Sequence, residues 1–212
     1  MTKDVLLKKL RLEKKEFISS VELKKYCRGL GLDYKSSVKN LMRRKYLVRL
    51  FKGLFYLKTA EETEFEFGNR YNYLELVAKA MKLKGISNWY FGLYTALKFN
   101  NTTHETFTVE DVINADILRA KPINIVGRKF KFYKLSKKLL SFGIVEKSGI
   151  RYSDLEKNVI DFAYIWRYSG KSNAEIESGL SDWMSGISKA KLKSYLSHYP
   201  KSVALVFREV MK

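Results

Sequence analysis

The sequence predicts an α+β protein: an N-terminal winged helix-turn-helix, then a mixed α/β domain with a helical tail. Three observations lead there. Residues 1–60 show three helical hydrophobic periods and then switch to a short run of β-formers around Lys52-Gly53. That same stretch holds 17 Lys and Arg against 5 Asp and Glu, net +12, while the remainder holds 24 against 17, net +7. Downstream of it, helical and alternating patterns are interspersed rather than segregated.

Val5, Leu6, Leu7, Leu10, Leu12 and Phe17 suggest a first helix over roughly Lys3 to Lys15, with lysines outward. Ser19-Ser20-Val21-Glu22 offers a capping box, in which a serine oxygen takes a backbone N–H and the glutamate reaches back. The second helix that follows should bury Val21, Leu23, Tyr26 or Cys27, and Leu30, and stop at Gly29 and Gly31. Asp33 caps a third helix that buries Val38, Leu41 and Met42. Leu47 to Leu57 then reads as a hairpin turning at Lys52-Gly53. Helix, helix, helix, hairpin is the order of a winged helix. The acidic, polar stretch TAEETEFEFGNR (59–70) marks a boundary, giving domains of 1–60 and 70–212.

In the second domain, Asn72 to Leu83 is a helix ended by Gly85, and Ser87 to Leu97 a short helix rich in aromatics. Thr106 to Val109, Ile123 to Val126, Phe130 to Leu135 and Ile144 to Lys147 read as strands. Ser153-Asp154-Leu155-Glu156 reads as a capping box opening a helix, and Ser172-Asn173-Ala174-Glu175 as another. Lys189 to His198 and Ser202 to Met211 form a helical pair broken at Pro200.

The overall charge of +19 and pI near 9.8 point to a polyanionic partner, nucleic acid first. A lysine-rich proteome would account for the total but not for its N-terminal bias. One cysteine, Cys27, allows no disulfide within the chain and suits a reducing compartment. The N-terminus lacks the apolar run of a signal peptide, and no stretch approaches the ~20 apolar residues of a membrane span. The expected location is therefore the cytoplasm, with no membrane partner.

The inventory for catalysis is thin. His104 and His198 stand apart and, with Cys27, are too few and scattered for a zinc site. No phosphate-binding glycine loop and no nucleophile elbow appears. No metal, cofactor or catalytic residue is expected. Asp154, Glu156 and Asp161 are the one acidic group open to a two-metal nuclease reading, though Glu156 completes a helix cap more simply. Trp89, Tyr90, Phe91 and Tyr94 could stack on single-stranded RNA, but aromatics at this spacing more often fill a core.

The third helix carries the best functional signal. With Val38, Leu41 and Met42 inward, Lys35, Ser36, Lys39, Asn40, Arg43 and Arg44 face outward, and Ser36 and Ser37 sit at its N-terminal end. A helix fits the major groove, where Arg or Lys reads guanine and Asn pairs with adenine. Arg49 and Lys52 on the ribbon would brace the phosphate backbone.

The order of motifs also resembles a known family. LVRLFKGLFYL (47–57) resembles the G-x-x-x-R-L-x-x-G-x-Y close of one antitoxin group, with Lys45 in the first glycine position. NWYFGLYTALKF, GRKFKFYKL and SFGIVE follow. SDLEKNVIDF is similar to a D-x-E-K/R-T-x-x-D helix start, with Asn158 in place of threonine. This succession, over Leu6 to Trp166, resembles the AbiEi family, the antitoxin and repressor half of abortive-infection modules. The resemblance implies a winged helix that binds inverted repeats in its own promoter, and a second domain that opposes a nucleotidyltransferase toxin. A metal-dependent nuclease and an RNA-binding protein are the alternatives.

Overall fold

A computed structural model of the chain describes residues 3–64, 70–208 and 211. It is a mixed α+β fold in two compact units, Met1–Gly85 with Ile125–Gly127, and Ile86–Asn124 with Arg128–Lys212. The first unit thus runs past the acidic stretch expected to be a boundary; residues 65–69 of that stretch lie outside the described residues.

The first unit runs α1 (Lys3–Leu12), β1 (Phe17–Ser19), α2 (Ser20–Gly29), α3 (Tyr34–Arg43), β2 (Leu47–Phe51), β3 (Leu54–Leu57), α4 (Glu61–Glu64) and α5 (Tyr73–Leu83). The strands form an antiparallel sheet in the order β1-β3-β2, with Ile18 opposite Phe55 and Val48 opposite Tyr56. Strand β1 is too short for its period to show in sequence, and it claims Phe17, which the periodicity had assigned beside the first helix. Leu6, Leu7 and Leu10 of α1, Leu23 and Cys27 of α2, Val38 and Leu41 of α3, and Leu47, Phe55 and Leu57 of the sheet form one core. Leu12 and Val21, expected inside, are exposed at 80% and 75%.

The caps explain where these helices start. Ser19 accepts from Glu22 N while the Glu22 carboxylate accepts from Ser19 N at 3.0 Å, so the expected capping box forms. Asp33 accepts from Ser36 N at 2.8 Å and opens α3 as expected. Between the helices, Gly31 takes φ +63, and Leu32 N donates to Cys27 O at 2.8 Å. Lys45 ends α3 at φ +59, a left-handed conformation that glycine adopts freely. The acidic stretch is partly structured: the Glu62 carboxylate accepts from Tyr56 OH and from Thr59 N, both at 2.7 Å.

The second unit runs β4 (Trp89–Phe91), α6 (Leu93–Phe99), β5 (Val109–Asn114), β6 (Ile123–Ile125), β7 (Arg128–Lys134), β8 (Ile144–Lys147), β9 (Ile150–Ser153), α7 (Leu155–Tyr168), α8 (Asn173–Leu180), α9 (Lys189–Leu196) and α10 (Lys201–Ala204), with short 3-10 turns. The mixed six-stranded sheet has the order β6-β7-β5-β4-β9-β8. Strands β5 and β7 pair in parallel, Asp111 beside Lys131 and Ile113 beside Tyr133. Helices α6 to α9 bury Leu93, Leu97, Val159, Phe162, Ile176 and Leu192 in one core with Tyr90 and Ile113 of the sheet.

Three expectations here need correction. The aromatic stretch expected as a helix is strand β4 followed by α6; Trp89, Tyr90 and Phe91 are all buried, because both faces of this inner strand are covered. No exposed stacking platform is left there. The strand expected at Thr106 to Val109 begins only at Val109 and continues to Asn114. The cap of α7 is Asp154, accepting from Lys157 N, and not Ser153, which ends the unforeseen strand β9. The capping box at Ser172 and Glu175 forms as expected. After Pro200 the expected helix is shorter, Lys201–Ala204 running into a 3-10 turn.

Candidate nucleic-acid interface

Helix α3 buries Ser37, Val38 and Leu41 and half-buries Tyr34 and Met42. Its opposite face carries Lys35, Ser36, Lys39, Asn40 and Arg43, so three cations stand at i, i+4 and i+8. Arg43 Nη2 donates to Asn40 Oδ1 at 3.4 Å on the same face. Like charges four residues apart cost a helix about 0.2–0.5 kcal/mol per pair. Elsewhere in this unit four cations are matched, Lys9 with Glu13, Lys15 with Glu22, Arg44 with Asp4 and Arg70 with Glu16, while Lys8, Lys14, Lys24, Lys25, Arg28 and Lys45 are in no ion pair among the described residues. Among the described residues, no ion pair holds Lys35, Lys39, Arg43, Arg49 or Lys52. With 17 Lys and Arg against 5 Asp and Glu in residues 1–60, unpaired cations are common here; what sets Lys35, Lys39 and Arg43 apart is their alignment on one exposed helix face.

Two of the expected contact residues are placed elsewhere. Ser37 is buried at 4% exposure and faces the Cys27 thiol, so it belongs to the core. It lies one position past the outward Ser36, on the Val38 and Leu41 side of the helix. Burial also pushes the Cys27 thiol above its usual pKa. Arg44 lies beyond the last turn of α3 and is held by Asp4 at 2.6 Å and by Tyr46 OH at 3.1 Å, with its guanidinium over the Tyr46 ring. It clamps α3 to α1.

The ribbon places Arg49 and Lys52 at the surface. Arg49 pairs with Phe55 across the strands, its guanidinium 5.5 Å from that ring, beside an irregularity in the β2–β3 register. The turn is short. Gly53 takes φ +77, and its carbonyl accepts from Ser20 N at 2.8 Å. The Lys52 carbonyl accepts from Lys84 Nζ at 3.0 Å. The Lys52 side chain is therefore carried on a tip fixed to α2 and to the end of α5, not on a free loop.

The acidic group considered for metal chemistry is dispersed into structural roles. Asp161 accepts from Tyr90 OH, Tyr199 OH and Lys157 Nζ, each at 2.7 Å, all fully or nearly fully buried. Lys157 Nζ also meets Tyr199 OH at 2.5 Å and Tyr90 OH at 2.8 Å. Burial lowers the Lys157 pKa, against the raising effect of Asp161. Asp154 caps α7 and accepts from Tyr195 OH at 3.0 Å, while Glu156 accepts from Ser188 N at 2.9 Å. Among the described residues, no three His, Cys, Asp or Glu side chains form a metal-holding group. Among them, too, no helix is long and apolar enough to cross a membrane. Sequence reasoning missed this buried cluster because its tyrosines come from positions 90 and 199, far from α7 in the chain.

No protein-family model matches the chain, and no curated protein matches its sequence. Among solved structures, the crystal structure of the RV2827C protein from Mycobacterium tuberculosis is similar over all of this chain and 76% of that one, with a TM-score of 0.60 and 13% sequence identity. At that identity the likeness establishes a common α+β fold.

Proposed function

We propose that the first unit is a winged helix-turn-helix that binds duplex DNA, and that the chain is a repressor and antitoxin of the AbiEi kind. Helix α3 is the recognition helix, and β2 with β3 is the wing. The observation that carries this reading is the unpaired row Lys35, Lys39 and Arg43 on the exposed face of a helix whose other face is core. A row of repelling cations is stabilised by a line of phosphates, and a helix of this width enters a major groove. Asn40 lies on the same face, placed to pair with a base edge, and Ser36 sits near the helix N-terminus, where phosphates are favoured. Arg49 and Lys52 brace the backbone from the ribbon.

The order α-β-α-α-β-β and the left-handed Lys45, at a glycine position of the resembling pattern, support the family assignment. The second unit would then oppose a nucleotidyltransferase toxin. Binding of the full chain to its own promoter fragment, followed by fluorescence anisotropy at several salt concentrations, tests the DNA reading. Binding that is equal for Lys35→Ala, Lys39→Ala and Arg43→Ala combined and for the unaltered chain would overturn it. Growth rescue on co-expression with a neighbouring nucleotidyltransferase reading frame tests the antitoxin reading. Failure to rescue with DNA binding intact would remove that half alone.

A further inference from the structure

A cavity within the second unit is lined by Tyr94, Phe107, Asp111, Pro122, Lys131 and Tyr133 and has a volume of about 340 Å³. Its floor is unusual. Asp111 is 3% exposed, and among the described residues its Oδ2 has no hydrogen-bond partner in good geometry, although Tyr94 N–H and Tyr133 OH stand close enough to the carboxyl to lower its pKa. A buried carboxyl oxygen left bare carries a desolvation cost that a donor from a ligand would remove. The walls are aromatic: the Tyr94 and Phe107 rings lie 4.7 Å apart between centroids, and Tyr133 stands on β7 two residues beyond Lys131, the residue beside the acid.

The charges around the cavity decide between two ligand classes. A carboxylate among aromatic rings could suit an organic cation. Here cations already lie over those rings, Lys131 over Tyr133 at 5.8 Å and Lys98, itself paired with Glu110 at 3.1 Å, over Phe107 at 5.7 Å. The chain as a whole carries +19. A further cation would enter against that field. A neutral planar ring with N–H donors, bearing an anionic group, meets both the bare oxygen and Lys131, whose Nζ also donates to the Ala120 carbonyl.

We propose that this cavity binds a mononucleotide, with its base against Tyr94, Phe107 and Tyr133, a base N–H donated to Asp111 Oδ2, and its phosphate at Lys131. The volume falls at the lower end of small-ligand pockets, about 300–1,000 Å³, which suits a base and its ribose. Base stacking on such rings is tolerant of base identity. The site is independent of the α3 row and does not rest on the DNA-binding reading.

Groups around the acid set its response to pH. Burial pushes Asp111 up to about 7; Glu110 adds to the rise, while Tyr94 N–H, Tyr133 OH and Lys98 oppose it. A base N–H prefers the ionised acid as acceptor, so affinity should rise as pH rises through that value.

Calorimetric titration of the full chain with GMP, AMP, CMP and UMP, the parent nucleosides, ribose 5-phosphate and a short single-stranded oligonucleotide tests the site. At least one nucleotide should bind below about 1 mM. Asp111→Asn should weaken it about tenfold or more and remove the pH dependence, with circular dichroism unchanged. Lys131→Ala should weaken the nucleotide but not its nucleoside. The combined α3 variant should bind as the unaltered chain does. Tighter capture of the oligonucleotide, lost in Asp111→Asn, would support the site with the nucleotide supplied by a strand. Ribose 5-phosphate binding as well as the nucleotides, no binding by any nucleotide, or undiminished binding by folded Asp111→Asn would overturn the proposal.

Discussion

Asp161→Asn should destabilise the second unit strongly, and in a pH-dependent way. Asp161 is 0% exposed and accepts three hydrogen bonds, from Lys157, Tyr90 and Tyr199. Asparagine keeps the shape but removes the charge that compensates a buried ammonium. Breaking a buried ion pair from one side costs about 3–5 kcal/mol, a large share of the roughly 5–15 kcal/mol that holds a domain together. Burial already lowers the Lys157 pKa, and Asp161 is the first of the groups that raise it. Without that carboxylate the folded-state value falls further below the unfolded one. In the window between the two, the unfolded chain binds more protons, so stability rises with pH. The deficit of the variant should therefore be largest near neutrality and shrink as Lys157 deprotonates in the folded state. All three tryptophans, Trp89, Trp166 and Trp183, lie in the second unit, so their fluorescence in urea reports on it alone. Titrations at about pH 7 and about pH 9 give the comparison. A loss below about 1 kcal/mol, or one that is equal at both pH values, would refute a charged Lys157–Asp161 pair.

The first unit offers matching tests. Its only cysteine, Cys27, is 1% exposed, so the rate of thiol labelling reports its opening. Lys45→Gly should slow that labelling: relief of a left-handed residue gains about 1–2 kcal/mol and backbone entropy returns about 0.5–1 of it. Ser19→Ala should speed labelling by the loss of a capping box, about 1 kcal/mol. Arg43→Ala should lower the slope of log affinity for DNA against log salt by about 0.9, the share of one phosphate. Arg44→Ala should leave that slope unchanged and instead speed thiol labelling, because its partner is Asp4. Gly143→Ala should destabilise the second unit, seen as a lower urea midpoint by tryptophan fluorescence. A Cβ at Gly143, φ +62, would stand 2.7 Å from Lys157 Cβ and 3.0 Å from the Tyr195 ring.

Local chemistry made the first unit legible and left the second half-read. The capping residues Ser19, Asp33 and Ser172 each act within three residues, so their roles survive folding unchanged. The stripe Val38 and Leu41 fixed the outward face of α3 by helical geometry alone. Ser37 was misplaced because a small polar side chain does not reveal its direction by composition, and it lies one residue past the outward Ser36. Arg44 was misplaced because its partner, Asp4, is forty residues away. In the second unit, Trp89, Tyr90 and Phe91 lie on an inner strand, so neither period 2 nor period 3.6 marks them. Asp154 was masked by Ser153, an equally good cap that happens to end a strand. Asp111 gave no signal at all: an acid in VEDVIN reads as solvent-facing until β4 and β7 close on both sides of it.

The two units use charge in opposite ways, and the contrast bears on what each is for. In the second unit, Lys157 and Asp161 are removed from water and satisfied by each other and by two tyrosines, which leaves nothing for a ligand to complete. In the first, Lys35, Lys39 and Arg43 remain in water in one row, outside the ion pairs that engage Asp4, Glu13, Glu16 and Glu22 of the same unit. Stability alone would favour alternating charges along that face, at a gain of about 0.2–0.5 kcal/mol per pair. A binding surface for phosphates favours the reverse, since an acid in the row would repel the ligand at every contact. Asp33, the acid at the start of α3, sits at its N-cap, where the helix itself requires it. Exchanging Lys39 for Glu separates the two demands. It should create favourable pairs with Lys35 and Arg43 and slow Cys27 labelling slightly, while weakening DNA binding by more than Lys39→Ala does. If Lys39→Glu bound DNA as well as Lys39→Ala, the face would not lie against phosphates, and the open row would have no polyanion to explain it.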